Sequence, residues 1–411
     1  MTTPRHGDRA LHIVHMDHTQ SDVETIDPNT GESLGRPWHS YAVDAYTRRV
    51  LAVWISYDRP SYRTCMMLIR IIVQRYLRVP QIVVVDNGPE FRSTYFDTLL
   101  AAFGITKKLR PAAKARFGSP VERLFGTTDT EFIHNLLGNT QITKRVRLVT
   151  KHVNPKHLAV WTLLAFYERL CVFAYEVYDT MVHPALGMSP RAAFEESITM
   201  GGERRHRFVR YDNDFRRLTM PTTRTGIATV KQNAGVKIES IYYNCDALQA
   251  DRLVGTTVAV RFDPADKGLA WALVQGEWVE CHSEHYNVFR GRSEREVRQA
   301  TQILRAREKA AGRSFKPNGQ ILGEFLRETA KDEELLKLRK LDLLQHEIVS
   351  LIEAGPSVPA MIAAAEAIDL QRQRDPQVEQ PEVAPVATSE QVESEQVEDE
   401  DEIPVCGRFI A

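Results

Sequence analysis

Three carboxylates are the residues of this 411-residue sequence whose types and settings best suit chemistry. Asp17 follows the apolar run LHIVHM, Asp86 follows IVVV, and Glu122 lies at the start of a helical signal in GSPVERLFG. Thirty-five residues separate Asp86 from Glu122. A hard divalent cation such as Mg²⁺ prefers octahedral oxygen ligation and keeps several waters, so the protein supplies one or two carboxylates per ion. Two such ions, about 3.5 to 4 Å apart, can activate an attacking oxygen and stabilise a leaving one in an in-line phosphoryl displacement. Three carboxylates suffice if one bridges both ions.

Each also has a plainer reading. Ser119-Pro120-Val121-Glu122 is a capping box with proline at the first helical position, and a capping glutamate can still be a ligand. Asp86-Asn87-Gly88 has the composition of a turn. Asp17 stands among His12, His15 and His18, but strand alternation puts His15 on its face and His12 on the other, which argues against a histidine metal cluster. Asp44 and Glu90 read as structural or supporting acids.

The elements that must hold these groups alternate between strand and helix signals. Residues 11–16, 40–46 and 50–56 read as strands, 61–77 as a helix, and 82–86 as a short strand buried on both faces. A helix over 91–103, a strand over 105–109 and a helix from 119 follow. The order β-β-β-α-β-α-β-α describes an α/β fold, a mixed sheet flanked by helices. The strand ends of such a sheet are rigid and tend to gather ligands. Beyond it, 155–180 reads as one long helix broken by VHPALGMSP, and 222–289 as a small β-barrel of short strands. Charged helices span 293–312 and 319–353, the second with a seam of Leu338, Leu341, Leu344 or Gln345, Ile348 and Leu351. The domains expected are therefore 1–140, a helical extension over 141–220, the barrel over 221–290, helices over 291–355 and a disordered tail over 356–411.

HIVHMDHT, IVVVDNGPEF and GSPVERLFGTTDTEF, with the gap of 35, resemble the catalytic core of DDE transposases of the retroviral-integrase type. VAVRFDPAD and EWVE resemble the C-terminal barrel of Mu-type transposases, and with HPALGMSP they point to the TniA/TnsB branch. The resemblance covers roughly residues 10–290. It implies a ribonuclease H-like core with Asp17, Asp86 and Glu122 as catalytic metal ligands and two Mg²⁺ or Mn²⁺ ions as cofactors. The implied activity is cleavage at transposon 3′ ends and strand transfer into target DNA, performed by a multimer on paired ends. A ribonuclease H-like nuclease and a catalytically silent DNA-binding assembly subunit are the alternative readings. Members of this branch place helical DNA-binding domains ahead of the first aspartate, whereas sixteen residues precede Asp17 here. The expectation is a fragment, or a separate chain that recognises the ends.

Charge agrees with a polyanionic partner once its distribution is considered. The net charge of −1 divides into −8 from residue 371 onward and +7 before it. Lys107, Lys108, Arg110, Lys114 and Arg116 precede Glu122 and are expected to contact phosphates, with Lys144, Arg145 and Arg147 extending the track. The tail ends in an apolar hook containing Ile403, Pro404, Val405, Phe409 and Ile410, which can fold onto a partner. By the resemblance that partner is an ATPase regulator. No apolar run approaches 18 residues and no signal-peptide pattern opens the chain, so the location expected is the bacterial cytoplasm, at the nucleoid during action. The five cysteines form no CxxC pair, and neither a disulfide framework nor a zinc knuckle is indicated.

Overall fold

The computed structural model describes residues 6–110, 119–141, 154–201, 208–310, 318–328 and 333–354. The first half is built on β1 (Ile13–Gln20), β2 (Thr25–Ile26), β3 (Ser33–Gly35), β4 (Trp38–Asp44), β5 (Val50–Ser56), β6 (Ile82–Val85) and β7 (Thr106–Leu109). Five of these form one sheet in the order β5-β4-β1-β6-β7, and β2 pairs with β3 as a small insertion. β1, β4 and β5 are antiparallel neighbours, whereas β6 and β7 join β1 in parallel. This is the mixed sheet of a ribonuclease H-like fold.

Burial explains why the sheet forms where it does. Every residue of β5 is buried, because α1 (Tyr62–Tyr76) covers one side and α5 (Leu163–Val172) the other. Ser61 caps α1 with a capping box completed by Thr64, and Leu77 ends the helix in the left-handed conformation. α2 (Thr94–Ala102) links β6 to β7, and α3 (Ser119–Glu131) lies on β1 and β4. The long helix expected over 155–180 is instead α4 (Pro155–Leu158), α5 and a π-turn over Phe173–Val177. Thr162 accounts for the restart, since its hydroxyl accepts the Ala165 amide as an N-cap. α5, α6 (Pro190–Gly201) and α7 (Asn213–Leu218) contribute Phe166, Leu170, Phe194 and Phe215 to the same apolar cluster as the sheet.

The second cluster is a closed barrel of β8 (Ile227–Lys231), β9 (Gly235–Ile238), β10 (Ile241–Asn244), β11 (Thr257–Phe262), β12 (Leu269–Val274) and β13 (Glu277–Ser283). Alternation fills its interior, as in β11, where Val258, Val260 and Phe262 are buried. α8 (Tyr286–Phe289), α9 (Glu294–Ala310) and α10 (Gly319–Glu328) pack around it. α11 (Glu333–Ala354) then joins both clusters: Leu335 belongs to the barrel's, and Leu344, Ile348 and Ile352 to the sheet's. The seam expected through Leu351 turns out to pass through Ile352, while Leu351 is exposed. Gln345 donates to the Ile55 carbonyl at 3.0 Å, tying α11 to the end of β5. The tail from 355 onward lies outside the described residues. Among those described, no helix is long and apolar enough to cross a membrane.

Candidate active site

Strand register assembles the site. In the parallel ladder of β1 and β6, His15 pairs with Val84; Asp17 lies two residues past that pair on β1, and Asp86 two residues past it, just beyond the end of β6. In the ladder of β6 and β7, Val85 pairs with Leu109, and the Arg110 amide donates to the Val85 carbonyl at 2.8 Å. Asp17 on β1, Asp86 directly after β6 and Arg110 directly after β7 thus form a row at one end of three neighbouring strands, which lie about 4.8 Å apart in any sheet. Asp17 does not end its strand as expected: β1 continues to Gln20 because its antiparallel pairing with β4 runs on to Trp38.

Glu122 reaches the row from the first turn of α3. That helix is seated by Val121 and Leu124, both buried, and by Phe125, whose ring stacks on Tyr41 at 5.2 Å between centroids. Tyr41 is the cross-strand partner of Asp17, and its hydroxyl lies 3.2 Å from the Thr128 hydroxyl on α3. His39, also on β4, meets the Phe125 ring edge-on at 5.2 Å. Thus β4 locates Asp17 by pairing and Glu122 by packing. Sequence reasoning missed this bed, because nothing local links Tyr41 to Phe125.

Arg110 closes the arrangement. Its Nη2 donates to Asp17 Oδ2 at 2.8 Å and its Nη1 to Glu122 Oε1 at 3.2 Å, so one guanidinium spans two of the three carboxylates. Its Nε is buried and has no acceptor among the described residues. The other Asp17 oxygen accepts the His18 amide at 2.8 Å, and Asp86 Oδ1 accepts the Gly88 amide at 2.9 Å. Asp86 is thus a turn residue through one oxygen, with no hydrogen bond to the other among the described residues. The Ser119 side chain, and with it the capping box, lies outside the described residues. Burial raises the Glu90 carboxyl above its ordinary range, and the charges of Asp86 and Asp17 push the same way. That makes Glu90 a fourth acid at the rim, beyond the structural role its sequence context suggested.

Two histidines line the row as neutral rings. Burial lowers His15 to about 3, with the Arg110 charge adding to it. Burial likewise lowers His18 to about 4 against the opposing pull of Asp86, and the ring stacks on Phe91 at 4.9 Å. Another acid–histidine group, Asp22, Asp129 and His134, brings one ligand atom from each within 4.8 Å, but Asp22 is already paired with Arg36 at 2.5 Å. A cavity of about 310 Å³ lies between α1, α2 and the barrel, lined by Tyr62, Tyr95, Arg261 and Arg298; none of the three carboxylates lines it.

Of the expected basic track, Lys107, Lys108 and Arg110 lie among the described residues. Lys108 is exposed, whereas Lys107 is tied to Asp97 and donates to the Phe91 carbonyl at 2.8 Å. Arg110 turns into the carboxylate row and is only 11% exposed. Lys114, Arg116, Lys144, Arg145 and Arg147 lie outside the described residues, as do Ile403, Pro404, Val405, Phe409 and Ile410.

Comparison with known proteins finds several that this chain resembles in part. A family model for the TnsB C-terminal domain matches residues 15–76 and 75–138, and one for the Mu transposase C-terminal domain matches 217–279. The transposase of transposon Tn552 from Staphylococcus aureus is 22% identical over 269 residues, 64% of this chain and 51% of the relative. The chain thus spans about half the length of that relative. Among solved structures, the simian T-cell lymphotropic virus intasome in complex with a PP2A regulatory subunit matches at 14% identity and TM-score 0.32, covering 68% of this chain and 79% of that one. The BIV integrase catalytic core matches at 16% identity and TM-score 0.28, covering 46% and 97%. The HTLV-2 integrase core with magnesium matches at 16% identity and TM-score 0.29, covering 46% and 99%.

The matched domains and the transposase relative support reading this chain as a DDE transposase or integrase. The chain resembles a TnsB C-terminal domain in its first part and a Mu transposase C-terminal domain in the barrel.

Proposed function

We propose that this chain is a DNA transposase subunit whose Asp17, Asp86 and Glu122 hold two Mg²⁺ or Mn²⁺ ions for 3′-end cleavage and strand transfer. The observation that carries the reading is the single cationic guanidinium of Arg110 lodged between Asp17 and Glu122, at the strand end that Asp86 follows. A place that favours one positive charge between carboxylates, offering oxygen ligands only, fits a hard divalent ion. When bound, the ions supply charge stabilisation for the attacking and leaving oxygens of an in-line displacement.

The chain's own residues do the rest. Asp17 sits within β1 and Asp86 directly follows the neighbouring β6, so both are anchored by the sheet. Glu122 closes on them from a helix held by Tyr41 and Phe125. In cleavage, water attacks the phosphorus and the transposon 3′ oxygen leaves with a proton. In joining, that 3′ hydroxyl attacks a target phosphodiester, whose own 3′ oxygen leaves, and no protein side chain becomes covalently attached. Lys108 and the basic residues of 111–118 and 142–153 would hold phosphates without reading sequence. The barrel and the helices after it would serve DNA and neighbouring subunits, and the tail's apolar end would dock an ATPase regulator.

The test combines purified protein, an end-binding partner chain, Mg²⁺ or Mn²⁺, precleaved ends and a plasmid target. Joined product supports the proposal; nicks alone point to a nuclease, and binding alone to a silent assembly subunit. Glu122→Gln, which keeps the side chain's shape and polarity, should abolish joining while leaving the fold intact.

A further inference from the structure

Arg110 stands where a ligand would be expected to stand. Its guanidinium takes one oxygen from Asp17 at 2.8 Å and one from Glu122 at 3.2 Å, although these residues come from different elements. It reaches Asp17 from the strand beyond β6, across the position of Asp86. Without it, Asp17, Asp86, Glu90 and Glu122 would leave four acids around one strand end with no cation between them, an arrangement opposed by mutual repulsion. The fit is nevertheless incomplete. Nε is buried with no acceptor among the described residues, and Asp17 is only 19% exposed, so the pair is held largely away from water. A permanent structural arginine in such a setting would normally have every donor satisfied.

We infer that Arg110 is a built-in counter-cation of the carboxylate row, one that holds Asp17 and Glu122 together while no metal is bound and competes with divalent ions for the same oxygens. The inference rests on the metal reading proposed above. Its physical basis is exchange: an incoming ion must take Asp17 Oδ2 and Glu122 Oε1 from the guanidinium and meets its positive charge at close range. Arg110 is a positioning residue, acting through the carboxylates and not on DNA. Its position also explains why a residue in a basic stretch is turned inward, while the nearby Lys108 is exposed.

The role predicts that removing the arginine tightens metal binding, which general damage to the site would not do. The experiment titrates the full chain with Mn²⁺ by calorimetry, and records metal-free melting temperatures in parallel. Arg110→Gln should bind Mn²⁺ about ten-fold tighter than the parent protein, as expected from losing a partly buried competing ion pair. Its metal-free melting temperature should fall, and the rise on adding Mn²⁺ should grow. Arg110→Lys, which keeps the charge but lacks the fork that spans two carboxylates, should lie between them and serves if the glutamine variant misfolds. Mn²⁺ binding by Arg110→Gln that is unchanged or weaker, while Asp17→Asn abolishes binding, overturns the competing-cation role and leaves the metal reading standing. Binding that is absent from the parent protein, or indifferent to Asp17→Asn, removes the metal reading and this inference with it.

Discussion

Acid should unseat the helix that carries Glu122, and His39 allows the size of the effect to be worked out. The His39 ring is fully buried; Nδ1 lies 2.8 Å from the Ser21 hydroxyl, and Nε2 has no partner among the described residues. Burial lowers it from 6.5 to about 3, against the opposing charge of Asp22 and with His18 adding to the shift. A histidine depressed in the folded state takes up its proton first when unfolded, so its stabilising contribution is complete above 6.5 and is lost progressively as pH falls toward 3. Between pH 7.5 and 5.0 this amounts to about 2 kcal/mol for one such group. His15 and His18, lowered to about 3 and about 4, act in the same direction. The three together reach about 6 kcal/mol, comparable with the whole stability of a typical domain. Urea unfolding in EDTA at the two pH values measures this. His39→Gln should cost about 1 to 3 kcal/mol at pH 7.5 through lost ring packing, yet lose about 2 kcal/mol less than the parent on acidification. Equal acid losses in parent and variant would refute the reasoning. Because His39 packs against Phe125 of α3, strand joining should fail on the acid side in the parent before it fails in a variant that tolerates the substitution.

Asp17→Asn, Asp86→Asn and Glu122→Gln should each reduce joining of precleaved ends by at least about 100-fold, with the folded state retained by circular dichroism. Gly235 adopts φ +72°, and a Cβ there would run into the Tyr243 carbonyl; Gly235→Ala should destabilise the barrel by about 2 kcal/mol or more in urea unfolding. Lys267 is fully buried, 3.2 Å from Glu239 and with its ammonium 3.9 Å from the centre of the Phe262 ring. Because Glu239 remains 44% exposed, Lys267→Met strands no buried charge and should change stability by less than about 1.5 kcal/mol, in either direction, by the same assay.

Local signals made much of this architecture legible. The all-apolar β6 and fully buried β5 could only be interior strands, and Pro120 announced its helix. The three carboxylates were visible through their neighbours, and the barrel through short alternating strands. What stayed hidden depends on pairing between distant segments. Asp17 looked like a strand end because DHTQ is polar, yet β4 carries β1 to Gln20. Arg110 looked like one more base in a basic stretch until the β6–β7 register turned it inward. The β2–β3 insertion has no apolar alternation to announce it. In α11 the choice between Leu351 and Ile352 is a rotation of one residue, and only the surface it packs on decides it.

α11 has a consequence for how the molecule comes apart. Its 22 residues make a rod about 33 Å long, rooted near one end in the barrel's interior and toward the other beneath β5. A single rod shared by two apolar clusters leaves neither able to melt without withdrawing support from the other. Calorimetry of the intact chain should trace one endotherm, and cutting the rod midway should split it into two.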